Sequence, residues 1–250
     1  MEIIKLKNKP NMDCMVCGEE LVYKQNNEIA VCYYCKKEFI TNVSCKNGHF
    51  VCDKCHGKDG YSLIEEYCVN SDELNPLDIC ENLMNNKKIN MHGPEHHFLV
   101  PAALLCSYFN RIGEKEKKKG KIAIAKTRAM TIPGGSCGYY GNCGAAVGAG
   151  IFMSIMTEST PLSEDSWAKC NEITGRILIH LAKMGGPRCC KRSVYTAITE
   201  TNKFLEENFS ITLIGKSDKI FCGYSKYNKQ CIGNRCEYNL SNSDNKIGNK

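Results

Sequence analysis

The sequence predicts an α+β protein, with a small β-rich front end of the zinc-ribbon kind followed by a mainly α-helical domain. Three observations predict it. Two Cys-x-x-Cys pairs, Cys14/Cys17 and Cys32/Cys35, bracket an alternating apolar segment near the N-terminus. From Gly60 onward, apolar residues recur at helical spacing. Cysteine makes up 18 of the 250 residues, and because MEIIKLKNKPNMDC lacks the apolar core of an export signal, metal binding explains so many thiols better than disulfides do.

Composition sets further bounds. A hydrophobic content of 42% suffices for a real core. No apolar run approaches the roughly 20 residues of a membrane helix, since AAVGAGIFMSIM is interrupted by glycines and stops at Thr157-Glu158. A cytoplasmic protein with no membrane partner is expected. The formal charge of +6 counts every thiol as neutral. Each zinc held by four thiolates adds about two negative charges, so the metallated chain is near neutral and a nucleic-acid partner is weakly supported.

The front end, residues 11–58, begins with CMVCGEELVYKQNNEIAVCYYC: a knuckle, a strand, an Asn26-Asn27 turn, a strand with Ile29 and Val31, and a second knuckle. Zinc takes four soft ligands in a tetrahedron, and two knuckles on a hairpin supply them without a hydrophobic core. The next segment, CKNGHFVCDKCH, offers Cys45, His49, Cys52 and Cys55, with His56 and Cys68 in reserve. Two structural zinc ions are expected. Sequential pairing is favoured, Cys14, Cys17, Cys32 and Cys35 on one ion and Cys45, His49, Cys52 and Cys55 on the other; interleaving of the two sets is the alternative. Such closed sites fold a segment and leave no position for a substrate.

The helical domain spans 59–240, with 241–250 a frayed polar tail. SLIEEYCVN is its first apolar-periodic segment, and Asn75-Pro76 reads as an N-cap with proline at the first helical position. Cys68 and Cys80 fall among apolar neighbours as core residues. In MHGPEHHFLVPAALLCSYFN, His92, Glu95 and His96 have the HxxEH spacing of one class of zinc peptidases. Gly93-Pro94 is where a helix would start, which leaves His92 outside it, so a zinc hydrolase is the lesser reading. EKEKKKGK, residues 114–121, is expected as an exposed turn, with KIAIAKTRAM resuming a helix.

Pro133 to Met156 is the centre of the chain. Cys137 and Cys143 lie in a loop with Gly134, Gly135, Gly138, Gly141 and Gly144, and a helix is expected from Cys143, with Gly144 and Gly148 one turn apart for close packing. A thiol at a helix N-terminus ionises readily. Thr160-Pro161 opens a long helix with a stripe of Trp167, Cys170, Ile177, Leu178 and Leu181, closed by Gly185-Gly186. Pro187 opens another, in which Cys190, Val194, Ala197, Phe204 and Leu205 share a face. Cys189 and Cys190 sit in its first turn beside Arg188, Lys191 and Arg192, where dipole and cations should lower thiol pKa. Cys222, Cys231 and Cys236 follow in glycine- and asparagine-rich loops.

Cys143-Gly144-Ala145-x-x-Gly148, with a cysteine before it in the glycine loop and cysteines opening a later helix, is similar to the redox-active proteins named for their C-GCAxxG-C-C motif. Together with the double knuckle, NVSCKNGHFVCDKCH, MHGPEHHFLVPAALL and the terminal C-x4-C, the chain resembles an uncharacterised cysteine-rich family of anaerobic archaea and bacteria over nearly its whole length. That resemblance implies sulfur, methyl or electron-transfer chemistry, with a methyltransferase, radical-SAM or redox protein as partner. The chain itself has no CxxxCxxC triad and no glycine-rich nucleotide loop after a strand.

The expected site gathers Cys137, Cys143, Cys189, Cys190, Cys222, Cys231 and Cys236 around one interior point, four of them holding an iron–sulfur cluster. Cys143, Cys189 and Cys190 would be the reactive thiols, and His92, Glu95, His96 and His97 the proton-handling groups of an oxidoreductase or a sulfur- or methyl-transfer accessory. The opposing class is a zinc-ribbon binding module for a protein or nucleic acid.

Overall fold

The computed structural model describes residues 13–215 and 220–240; the expected tail, 241–250, and the first two residues of the front end lie outside them. The front end is an antiparallel hairpin of β1 (Leu21–Val31) and β2 (Glu38–Cys45). Its turn is not Asn26-Asn27. β1 runs through that pair, slipping register between Tyr23 and Glu28. The chain reverses in the second knuckle instead, where Lys36 N–H bonds to Cys32 O at 3.0 Å and Cys32 N–H to Lys37 O at 2.9 Å. A Cys-x-x-Cys turn already reverses the chain, so no separate loop is needed.

Eight helices follow: α1 (Asp53–Asn70), α2 (Pro76–Met84), α3 (Glu95–Arg111), α4 (Lys115–Ala129), the single turn α5 (Ser136–Tyr139), α6 (Gly144–Met156), α7 (Asp165–Met184) and α8 (Cys190–Phe209). A loop built of short turns carries the chain to Leu240. α1 starts earlier than Gly60 and runs unbroken through residues 58 and 59, so one helix carries both Cys55 and the core thiol Cys68. Its glycines are tolerated because space is short there: a side chain on Gly60 would lie 3.1 Å from Glu95 Cβ on α3. α2 is capped as expected, Asn75 Oδ1 accepting from Leu77 N–H at 3.0 Å.

α3 is the axis of the molecule, buried along nearly its whole length and packed by α1, α2, α4, α6 and α8. Pro101 inside it has no N–H to give the His97 carbonyl. Gly148 of α6 comes up against that same carbonyl; a Cβ there would lie 2.8 Å from it. Gly144 lies one turn earlier, under the His97 ring. The close packing expected from this glycine pair is therefore packing on α3.

Two expected features of the helical part differ. EKEKKKGK is no exposed turn but the start of α4, and Lys118 within it is buried, donating to Ser71 O at 2.6 Å and Asn110 Oδ1 at 2.9 Å. Trp167 is half-exposed and off the inner stripe of α7, which is marked by Ile173 and Ile177. That helix begins at Asp165 because Thr160 and Ser163 close a turn before it, Ser163 N–H to Thr160 O at 3.0 Å. Apolar burial follows the helices: one large cluster fills the space around α3, and the front end has only Cys32, Phe50 and Cys52 fully inside a cluster of its own. So small a core cannot hold a fold by itself.

Candidate metal centres and thiol sites

The front end brings its eight donors into two groups, Cys14, Cys17, Cys45 and His49, and Cys32, Cys35, Cys52 and Cys55, each with all ligand atoms within 4.8 Å of one another. The pairing is interleaved, not sequential. The second knuckle is the turn of the hairpin, whereas the first abuts its open end, where β2 finishes with Cys45 opposite Leu21; the two knuckles cannot share an ion. At the open end His49 Nδ1 lies 3.3 Å from Cys17 Sγ and 3.5 Å from Cys45 Sγ. The chain then doubles back, Phe50 bridging to Cys32 with Tyr33 N–H on Phe50 O at 2.8 Å, which delivers Cys52 and the first turn of α1 to the second knuckle.

Backbone N–H groups point at these sulfurs. Val16 N–H lies 3.4 Å from Cys14 Sγ, His49 N–H 3.3 Å from Cys45 Sγ and Cys52 N–H 3.4 Å from Cys32 Sγ. Such bonds stabilise a thiolate and fix the direction of its lone pairs. Soft donors in fours, held this way, fit a tetrahedral thiophilic ion.

Four contacts clamp the front end onto the cysteine-bearing segments of the helical part. Asp53 Oδ2 accepts from Gly134 N–H at 2.6 Å, Asn42 Nδ2 donates to the Tyr139 hydroxyl at 2.7 Å, Lys229 pairs with Asp13 at 2.7 Å, and the Arg188 guanidinium stacks 5.3 Å over the Tyr23 ring.

Beneath that clamp the seven expected thiols do not share one point. Cys189, Cys222, Cys231 and Cys236 surround a cavity of about 20 Å³, lined also by Arg192, Tyr224 and Asn228. Cys137, Cys143 and Cys190 lie outside that cavity lining, Cys143 close enough to influence the charge of both others, with Arg188 near Cys137 and Cys190; Cys190 also feels Cys189, so this trio adjoins the quartet. Cys137 is exposed, and Cys143 is the half-buried N-cap of α6. The expected lowering of thiol pKa at the start of α8 is not found. Burial outweighs the cations, pushing Cys190 up to about 12 and raising Cys189 as well.

The histidine segment is arranged for hydrogen bonding rather than for hydrolysis. His92 lies outside α3, its Nε2 paired with Asn228 Oδ1 at 3.2 Å and its Nδ1 facing Cys190 N–H at 3.5 Å. Burial, with Arg188 nearby, brings it down to about 4. His96 turns Nδ1 back to Gly93 O at 3.1 Å, and burial holds it well below the usual imidazole range. His97 gives Nδ1 to Ile132 O at 3.2 Å. Glu95 Oε1 accepts from Asn90 N–H at 2.9 Å and Asn90 Nδ2 at 3.1 Å. The groups of ligand atoms drawn within 4.8 Å of one another among the described residues are the two front-end quartets, and they include none of these side chains.

Three residues were missed by sequence reasoning. Asn228 joins both thiol groups, reaching Cys189 Sγ through Nδ2 at 3.4 Å and Cys190 through His92. Lys191 and Arg192, read only as cations that lower the pKa of neighbouring thiols, are both buried. The signal was present for Lys191, which lies one helical turn before Val194 on the inner face of α8.

The fold and its donor sets define a cysteine-rich metal-binding protein. The chain belongs to DUF5714, a family of unknown function, whose family model matches residues 64–239. No curated protein and no solved structure matches the chain. The matched span contains both helical thiol groups and neither front-end quartet.

Proposed function

We propose that this is a zinc-folded redox metalloprotein of the cytoplasm: two structural zinc ions in the interleaved quartets hold a front end that covers a working thiol region in the helical part. That region carries an iron–sulfur cluster or redox-active cysteines, and serves sulfur, methyl or electron-transfer chemistry beside a methyltransferase, radical-SAM or redox partner. The observation that carries the reading is the clamp. Its four contacts fall on segments that bear candidate thiols, Gly134 and Tyr139 around Cys137, Arg188 before Cys189 and Cys190, and Lys229 before Cys231; His56 also reaches Glu95 on α3, at 3.9 Å. The likeness of Cys143-Gly144-Ala145-x-x-Gly148 to the C-GCAxxG-C-C proteins supports the same chemistry.

Metal, sulfide and thiol counts on anaerobically purified protein test it. The expected result is two zinc ions per chain together with either iron and acid-labile sulfide or thiols that cycle reversibly with a disulfide. Colourless protein with zinc alone, and no thiol titre that changes on oxidation and re-reduction, overturns it.

One observation favours the binding-module alternative. Ile29 and Ile40 are cross-strand partners on the hairpin and remain 71% and 78% exposed. On that reading, Ile29→Ser with Ile40→Ser abolishes capture of a partner and leaves metal content unchanged.

A further inference from the structure

We infer that Cys189, Cys222, Cys231 and Cys236 hold a third metal centre, a four-thiolate site inside the helical part and separate from the two front-end quartets. The inference deepens the reading above, on which it rests for the chemistry, by naming the ligands and leaving Cys137, Cys143 and Cys190 out of them.

The backbone around the four sulfurs repeats what the front end does around its own. In the front-end quartets the amide two residues after a cysteine turns back onto the sulfur, as Val16 does on Cys14 at 3.4 Å. In the C-terminal loop Tyr224 N–H does so on Cys222 and Gly233 N–H on Cys231, both at 3.4 Å, and Tyr238 N–H bonds to Cys236. Cys189, the N-cap of α8, receives Arg192 N–H at 3.5 Å. Core thiols such as Cys80 need no such cradle. Donors aimed at every sulfur of a group stabilise thiolates and tune the potential of whatever those thiolates hold.

Charge supplies an independent argument. Arg192 is 95% buried on the wall of the cavity; its Nη2 donates to Gly185 O and Pro187 O at 2.9 Å each, while Nε and Nη1 have no hydrogen-bond partner among the described residues. Lys191 is fully buried beside it, with Nζ on Asn90 O at 2.9 Å and 5.1 Å over the Tyr224 ring that also lines the cavity. Against these two cations, Glu95 is the one carboxylate buried to the same degree among the described residues. A buried guanidinium with idle donors needs a negative partner. A divalent ion or a cluster held by four thiolates carries about two negative charges, which is the counter-charge this wall lacks.

Asn228 is held in one orientation beside Cys189. Asn228 Oδ1 is occupied by Gln230 N–H at 2.9 Å and by His92 Nε2 at 3.2 Å, so its Nδ2 can only face Cys189 Sγ. The cavity of about 20 Å³ has room for a single ion, and a cluster there requires the loop that carries Cys222, Cys231 and Cys236 to open around it. Unlike the front-end sulfurs, these four are not drawn within 4.8 Å of one another. That wider spacing favours an iron–sulfur cluster, in which irons and sulfides stand between the thiolates, over a single tetrahedral ion.

The test uses the full chain, reconstituted without oxygen with ferrous iron and sulfide and then assayed for iron, sulfide and zinc. Wild type and the Cys137→Ser, Cys143→Ser and Cys190→Ser variants are expected to retain iron with sulfide. Cys231→Ser, at a half-exposed position, and Cys222→Ser are expected to lose it while two zinc ions and the helical circular dichroism persist. Asn228→Ala is expected to weaken retention against a chelator about tenfold, the scale on which losing a hydrogen bond to a metal ligand lowers affinity. A third zinc that binds without sulfide and is lost in the same variants upholds the centre as a single-ion site, and would then count against the redox reading alone. No third metal in the wild type overturns the inference. So does iron that survives Cys222→Ser and Cys231→Ser but is lost with Cys143 or Cys190, a result that leaves the redox reading standing.

Discussion

Gly144 shows how little freedom a single position has where the thiol region meets the core. The His97 ring, held by its Nδ1 bond to Ile132 O, occupies the space a side chain at 144 would need. Gly144→Ala is expected to destabilise the protein by about 1–3 kcal/mol, the usual cost of forcing atoms into a packed interior, read as a lower denaturant midpoint. Glu81 on α2 sets a pH dependence. Burial, with Asp78 nearby, raises its carboxyl from 4.5 to about 7. Between those values the folded state holds the proton more tightly than the unfolded chain, so this group makes stability fall as pH rises through the window. Glu81→Gln should flatten that slope and stabilise the protein at pH 8 by about 1 kcal/mol, a figure reduced for its partial exposure to solvent. A variant whose stability keeps the wild-type slope from pH 4.5 to 7 would refute the assignment.

Among the elements, the hairpin decides how the metals are shared. Each ion joins a knuckle to a segment from the other half of the front end, so losing one group leaves the other intact. The variant Cys14→Ala with Cys45→Ala tests this directly: both residues belong to one interleaved quartet, and the expected loss is one zinc ion per chain. Sequential pairing would place them in different sites and cost both ions. α4 and α8 explain what the sequence hid at this scale. The charge run around Lys118 was expected as an exposed turn because burying a charge is costly, and Lys191 was read only as a cation beside thiols, yet Lys118 finds Ser71 O and Asn110 Oδ1, and Lys191 finds Asn90 O. Periodicity located α2, α6 and α8 because capping and apolar spacing are local. The knuckle as hairpin turn was not legible, since Asn26-Asn27 is an equally good local turn and only the pairing of Val31 with Glu38 excludes it.

At the scale of the whole molecule, the donor types were readable and their grouping was not. Cysteine spacing identifies ligands, whereas the division of seven thiols into a quartet and a trio depends on the loop after α8 folding back over that helix's first turn. Cys222 N–H on Tyr238 O at 2.7 Å and the Tyr238 hydroxyl on Thr196 Oγ1 at 3.2 Å hold that loop. The front end completes the arrangement from outside, and with so small a core of its own it should depend on bound metal far more than the helical part does. Chelating the front-end metals is therefore expected to release Asp53 from Gly134 and Tyr23 from Arg188 while the apolar cluster around α3 survives. Hydrogen exchange should then quicken about tenfold or more at the amides of Gly134, Tyr139 and Tyr140, the first of which is protected only by Asp53 Oδ2, with the amides of Leu104 and Leu105 in α3 unchanged. Acceleration of the same α3 amides together with the loop would mean instead that the metals stabilise the molecule as one cooperative unit, and that the front end is part of the fold rather than a cover on the thiol region.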